Sequence, residues 1–247
     1  MNSAISSHFY EQVLRLSKCT DTQQIQAVCG EYLCSLGGRY YKYQWLPPTL
    51  ITSSKQIEFL TCPDLWLERY ACQGFGENDP KIRYCNEHRH PTSWNADTIG
   101  KKITSQHIPQ QDQLFWQDTL DMGLGDGVTI PIRGMGGTKS MLCIAYEGAY
   151  VEDELAPIPL LEAWATHVHT HIERLYTAQQ LNNPLSQREQ EVLKWTALGK
   201  TSDDIADILK LSRNTILFHL NSLRRKLNVA NKHHLIAKAF ALHLLNF

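Results

Sequence analysis

The chain has 247 residues, 43 % of them apolar, and a formal net charge of −1, enough for one large domain or two ordinary ones with packed cores. No stretch approaches the run of about 18 apolar residues that a membrane span needs, and the N-terminus MNSAISSHFYEQVLRL lacks a basic region followed by an apolar one, so a cytoplasmic protein without a membrane partner is expected. The seven cysteines form no Cys-x-x-Cys pair and all precede position 144, which argues against a disulfide framework or a zinc knuckle and for small buried thiols.

In chain order, residues 6 to 36 read as two helices, the second capped by Asp21 and carrying Ile25, Val28, Cys29, Tyr32 and Leu33 on one face. Strand-like pieces follow at RYYKYQW, QIEFLT, GVTIPIRG and KSMLCIAY, the last two joined by the hairpin turn MGGT. DLWLERYAC and QDQLFWQDTLDMG read as helices, with Gly123 suited to a C-cap. A further helix over about 153 to 176 carries Leu161, Trp164, Val168, Ile172 and Leu175 at spacings of 3 and 4, a stripe that can pack on the sheet or meet a copy of itself. The expected fold class is α+β: residues 1–175 form an α/β/α sandwich around a mostly antiparallel sheet, 176–185 are a linker interrupted by Pro184, and 186–247 are an all-α four-helix domain.

That last domain is the cationic one. Splitting the chain at Asn183 leaves 14 Lys/Arg against 20 Asp/Glu before it and 10 against 5 after it. Ser186-x-x-Glu189 reads as a capping box, Thr201-x-x-Asp204 as a weaker one, and Ser212 as a third cap. Val192, Leu193, Thr196 and Ala197, then Ile205, Ala206, Ile208 and Leu209, then Ile216, Leu220, Leu223 and Leu227 give the first three helices their inner faces. Arg213, Asn214, Thr215, Leu217, Asn221, Arg224 and Arg225 then fall on or near the other side of the third helix. A helix fits the major groove of DNA, its first turns reach base edges, and cations at its far end neutralise phosphate. Gly199-Lys200-Thr201 places backbone N–H groups and a Lys at a helix start, where phosphate binds. The competing reading is a helix bundle with a solvated basic face.

The stretch from Leu185 to Ala239 closely resembles the helix-turn-helix of LuxR-type transcription regulators, with Glu189, Leu193 and Gly199 on that family's hallmark positions. The resemblance implies a scaffold helix at about 201 to 210, a recognition helix at about 213 to 227 and a last helix, carrying Leu235, Ala239, Leu242 and Leu245, that pairs across a twofold axis. Such a homodimer would read a palindromic operator with half-sites about one turn apart. Leu217 and Asn221 are not the Arg that favours guanine, so no consensus is read from them.

No acidic pair and lone phosphorylatable Asp of a receiver domain is present in the first domain. Trp66-x-x-x-Tyr70, Asp79-Pro80, Trp94 and Gly123-x-x-x-Gly127 occur instead, in that order, and resemble the autoinducer-binding domain of quorum-sensing LuxR-type receptors. A Trp offers one N–H donor, an ionised Asp only acceptors, and an Asp in an apolar pocket needs a donor such as a ligand amide. The resemblance implies that Trp66 donates to a lactone carbonyl, Asp79 accepts from the signal's amide, Tyr70 and Trp94 form walls, Thr129 lies nearby and Gly127 lets the backbone approach the ligand. Each of these residues also has an ordinary reading, as a core aromatic or, for Asp79, as the cap of the turn made with Pro80.

Departures from the pattern bear on the ligand. Cys62 stands where many receptors of this family carry a Tyr, Lys42 near a position usually small or apolar, and Cys143 where Ser or Thr often assists. The amide and lactone contacts are expected to survive while the acyl end is read differently. The alternatives are a regulator sensing a non-lactone molecule or one acting without ligand. His88-x-His90 and the run His167-x-His169-x-His171 invite a metal, but only His167 and His171 share a helix face and no acid or Cys is placed to complete a shell. No enzyme, metal or cofactor is expected.

Overall fold

The computed structural model describes residues 3–46, 57–104, 108–134, 138–148, 157–180, 184–242 and 244–245. The chain divides into two compact units, the first reaching Ile172 and the second beginning at Glu173, inside one long helix.

The first unit is built on five strands, β1 (Gly38–Leu46), β2 (Ile57–Leu60), β3 (Thr92–Trp94), β4 (Gly127–Arg133) and β5 (Lys139–Tyr146), in the order β2-β1-β5-β4-β3 with every pair antiparallel. Alternation along β1 and β5 assigns the two faces. Tyr41, Tyr43 and Trp45 turn to one side: the Tyr41 hydroxyl donates to the Gln26 carbonyl, and the rings of Tyr43 and Trp45 lie beside His169. That side is covered by α1 (Ser3–Lys18), α2 (Thr22–Ser35) and α8 (Ile158–Gln180). Leu161, Trp164, Val168 and Ile172 of α8 are fully buried, and Trp164 packs 4.3 Å from Tyr32 of α2. The apolar stripe on α8 is therefore spent within the chain rather than left for a second copy. Asp21 caps α2 by accepting from the Gln24 N–H.

The other face carries Tyr40, Lys42, Met141, Cys143 and Ala145, under α3 (Asp64–Cys72), α4 (Phe75–Asn78), α5 (Pro80–Glu87), α6 (Ala96–Thr104) and α7 (Gln110–Asp121). Two ion pairs hold this helical layer together. Arg69 of α3 grips the buried Asp118 of α7 through two bonds of 2.9 and 3.0 Å, and Arg83 of α5 bonds the buried Asp112 of α7. Gly123, at φ +68°, turns the chain out of α7.

Four elements here escaped the sequence pattern: α4 is only four residues long and β3 three, and α5 and α6 have no long apolar stripe. Helix α8 runs to Gln180, past the expected stop at 176. Its expected start at 153 and the MGGT turn over 135–137 lie outside the described residues.

The second unit contains α9 (Gln187–Ala197), α10 (Ser202–Leu209), α11 (Arg213–Lys226) and α12 (Lys232–Ala241). Both capping boxes form, and Ser212 accepts from the Thr215 N–H. Val192, Leu193, Ile205, Ile216, Leu223, Leu227, Leu235 and Ala239 close the core. Ile208, assigned by periodicity to the inner face, is 41 % exposed, since an eight-residue helix presents only Ile205 and Ala206 fully inward.

Candidate functional sites

A half-open cavity, about 430 Å³ with the space at its open mouth included, lies between the sheet and the helical layer of the first unit. Lys42, Cys62, Trp66, Tyr70, Asp79, Trp94 and Cys143 all line it, together with Lys81, Phe115, Leu124 and Met141. Lys42 reaches it because strand alternation sends its side chain to the same face as Cys143, its register partner on β5.

Polar groups in the cavity form a chain. Glu58 pairs with Lys42 at 3.1 Å, Lys42 Nζ donates to the Tyr70 hydroxyl at 3.3 Å, and Tyr70 donates to Asp79 Oδ2 at 2.9 Å. Asp79 Oδ1 accepts from the Lys81 N–H at 2.8 Å, so the carboxylate also caps α5. Asp79 is 3 % exposed, yet it is satisfied within the chain, one bond per oxygen. The expectation that it must await a ligand donor is corrected to that extent, although a carboxylate has capacity for further bonds. Burial, with the Asp79 charge and hydrogen bond behind it, drives the Tyr70 pKa well above its usual value, so its hydroxyl stays a donor.

Trp66 is different. Its indole is buried against Phe75 and Phe115, and its N–H has no hydrogen-bond partner among the described residues. The Trp94 N–H is spent on the Leu124 carbonyl at 3.2 Å. Neither Thr129 nor Gly127 lines the cavity. Thr129 is fully buried with its hydroxyl 3.4 Å from Cys143 Sγ. The close approach at Gly127 comes from the protein: an added Cβ would lie 2.3 Å from the Trp94 ring and 2.3 Å from the Ile144 carbonyl oxygen. Burial pushes the Cys62 thiol up to about 11 and raises that of Cys143, so both are neutral sulfur surfaces.

Lys81 was not singled out from the sequence. Its ammonium lies 4.2 Å from the centre of the Trp94 ring and 5.4 and 5.5 Å from those of Trp116 and Phe115.

In the second unit, α11 leaves Arg213, Asn214, Asn221 and Arg225 exposed and Thr215, Leu217 and Arg224 half-buried. Thr215 is engaged with Ser212 through both hydroxyls at 2.8 Å. Arg213 pairs with Asp203 at 3.1 Å. Phe218, also missed, is 63 % exposed. Spacings of 4, 3 and 4 put Asn214, Phe218, Asn221 and Arg225 in one outward stripe.

Lys226 turns inward instead, bonding Glu189 Oε2 at 2.7 Å, while Ser222 donates to Glu189 Oε1 at 2.7 Å. Burial opposes ionisation of Glu189, but the bonds from Lys226, Ser222 and Ser186 outweigh it and hold its pKa down at about 2. The expected phosphate grip by backbone donors at 199–201 is also corrected: the N–H groups of Gly199, Lys200 and Thr201 are taken by the Thr196 carbonyl, the Trp195 carbonyl and the Asp204 carboxylate. What remains there for an anion is the exposed Lys200 ammonium and the exposed Thr201 hydroxyl.

Comparison with known proteins matches residues 21–172 to the family described as "Autoinducer binding domain" and residues 183–239 to "Bacterial regulatory proteins, luxR family". The chain belongs to the LuxR family of quorum-sensing transcription regulators. This LuxR-family regulator is 32 % identical over 229 residues to the HTH-type quorum-sensing regulator RhlR of Pseudomonas aeruginosa, covering 91 % of each chain. It is 29 % identical over 213 residues to the regulatory protein SdiA of Escherichia coli K12, covering 83 % of each. A crystal structure of Escherichia coli SdiA is similar with a TM-score of 0.69 at 25 % identity, over 97 % of this chain and 98 % of that one. The structure of SdiA in complex with octanoyl-rac-glycerol is similar at 0.70 and 22 % identity, over 100 % and 99 % of the two chains. The LuxR-family regulator thus combines an autoinducer-binding domain with a DNA-binding helix-turn-helix. No helix among its described residues is long and apolar enough to cross a membrane.

Proposed function

We propose that this regulator takes an acyl-homoserine lactone or a closely related acylated signal into the first-domain cavity and binds a palindromic operator as a homodimer. The supporting observation is that the unpartnered Trp66 N–H lines the same cavity as the Asp79 carboxylate, whose oxygens hold one bond each and can accept another. In this reading Trp66 donates to the head-group carbonyl and Asp79 accepts from the amide, with Tyr70 and Trp94 as walls. Lys42, Cys62 and Cys143 face the rest of the ligand, while Thr129 and Gly127 act from behind the wall. Residues 1–175 are the signal domain, 176–185 the linker and 186–247 the DNA-binding domain. Lys200, Thr201, Arg213, Asn214, Thr215, Leu217, Asn221, Arg224 and Arg225 face DNA, and the protein works in the cytoplasm without enzymatic chemistry. The signal shifts the population of the DNA-competent dimer.

The test is thermal unfolding with a panel of acyl-homoserine lactones. A ligand that binds only the folded state at 100 times its Kd adds roughly 2.7 kcal/mol and raises the melting temperature. No shift with any acylated compound, with DNA binding intact, would discard this reading. It would support the second one, a regulator of this family that responds to another molecule or to none, which the internal satisfaction of Asp79 favours.

A further inference from the structure

We propose that the signal carries an anionic head, a carboxylate next to its amide as in an N-acyl amino acid or a ring-opened N-acyl homoserine, and that Lys81 pairs with that carboxylate. The inference rests on the reading of the cavity as the site of an acylated signal.

Lys81 is unusual among the cations of this region. Lys42 has Glu58, Arg69 has Asp118 and Arg83 has Asp112. The Lys81 ammonium has neither an ion pair nor a hydrogen-bond acceptor among the described residues. The one carboxylate that shares the cavity with it, Asp79, spends its oxygens on Tyr70 and on the Lys81 backbone N–H. The faces of Trp94, Trp116 and Phe115 surround the charge. Ring faces attract a cation but accept none of its three N–H bonds.

Lys81 lines the same cavity as Trp66 and Asp79. Phe115 touches both sides, 5.5 Å from Lys81 Nζ and, ring to ring, 5.8 Å from Trp66. Asp79 Oδ1 accepts from the Lys81 N–H at 2.8 Å, so a ligand amide held by Asp79 brings its adjacent group to the part of the cavity that Lys81 lines. A closed lactone offers two neutral oxygens there, which accept from the ammonium more weakly than an ionised group does and leave its charge uncompensated. A carboxylate in the same place accepts from Trp66 and Lys81 together, and charge-assisted bonds of this type are the stronger ones. The amide N–H and the carboxylate of an N-acyl amino acid are one carbon apart, and the acceptor and the ammonium offered to them are on Asp79 and Lys81, two residues apart in the chain.

The test compares N-octanoyl-homoserine lactone, its ring-opened acid and N-octanoylglycine as ligands of the full chain by calorimetry, at a mildly acidic pH where the lactone stays closed. The wild type is expected to bind the two acids at least about tenfold more tightly than the lactone, as removing one partner of a desolvated charge pair costs that much or more. Lys81→Met should abolish that preference and Lys81→Arg retain it, with the ligand-free melting temperature of each variant confirming a folded chain. Tighter binding of the lactone by the wild type, or an acid-to-lactone ratio unmoved by Lys81→Met, overturns the head-group proposal while leaving the acylated-signal reading standing. Binding of none of the three overturns both.

Discussion

The Tyr70 hydroxyl lies 2.9 Å from Asp79 Oδ2, tying the end of α3 to the start of α5 along one cavity wall. Burial and the neighbouring carboxylate push the phenol's pKa up, so at neutral pH the hydroxyl is protonated and donates. Tyr70→Phe removes a hydrogen bond to a charged acceptor without changing shape. The expected cost is about 1.5–3 kcal/mol of stability, together with weaker signal binding, because Asp79 is then free to turn toward Lys81. Unfolding with urea and a ligand titration on the same variant measure the two effects.

Glu189 is the hub of the second unit, joining the start of α9 to the end of α11 through Ser222 and Lys226. Its folded pKa, about 2, is below the ordinary 4.5. A depressed carboxyl contributes stability that is complete above the unfolded pKa and is lost as pH falls through the folded one. The melting temperature should therefore drop between about pH 4.5 and 2 more steeply in the wild type than in Glu189→Gln. Parallel pH profiles of the two would refute the assignment.

Gly127→Ala should destabilise the first unit although the backbone there is ordinary strand. The new methyl has no room beside the Trp94 ring and the Ile144 carbonyl oxygen, each 2.3 Å away. The expected cost is about 1–3 kcal/mol by overpacking, with a change in tryptophan emission as Trp94 is displaced from its bond to Leu124. An unchanged melting temperature would show that Trp94 yields freely.

These three sites differ in how far the sequence alone exposes them. Periodic apolar stripes on α2 and α8 and the caps at Asp21, Ser186, Thr201 and Ser212 are local patterns, and they emerge from spacing. The aromatic and acidic positions of the cavity were legible through their order, which a family resemblance made readable. What was hidden depends on contacts distant in the chain. Lys226 meets Glu189 across 37 positions, a pairing that no local spacing shows. Gly127 is required by Trp94, on the neighbouring strand β3, which is too short to announce itself. Lys81 sits in α5, a polar eight-residue helix, and only the folded layer shows that its ammonium enters an aromatic corner.

On α11 the distinction between positioning and reading can be measured. Arg225 is exposed at the far end of the stripe that carries Asn214, Phe218 and Asn221. A cation there neutralises phosphate, so Arg225→Ala should weaken binding to all duplexes alike and lower the salt slope by about 1. On the proposed docking of α11 in the major groove, Phe218 and Asn221 would meet base edges, the ring a thymine methyl and the amide adenine. Phe218→Ala and Asn221→Ala should each change the preferred sequence and lose about 1–3 kcal/mol of discrimination at one base pair. Lys226→Ala should instead cost stability, because its ammonium belongs to Glu189. Selection from a random duplex pool, followed by anisotropy titrations at several salt concentrations, separates these outcomes. If Phe218→Ala and Asn221→Ala select the same sequences as the wild type, the outward stripe of α11 is not the surface that reads the bases.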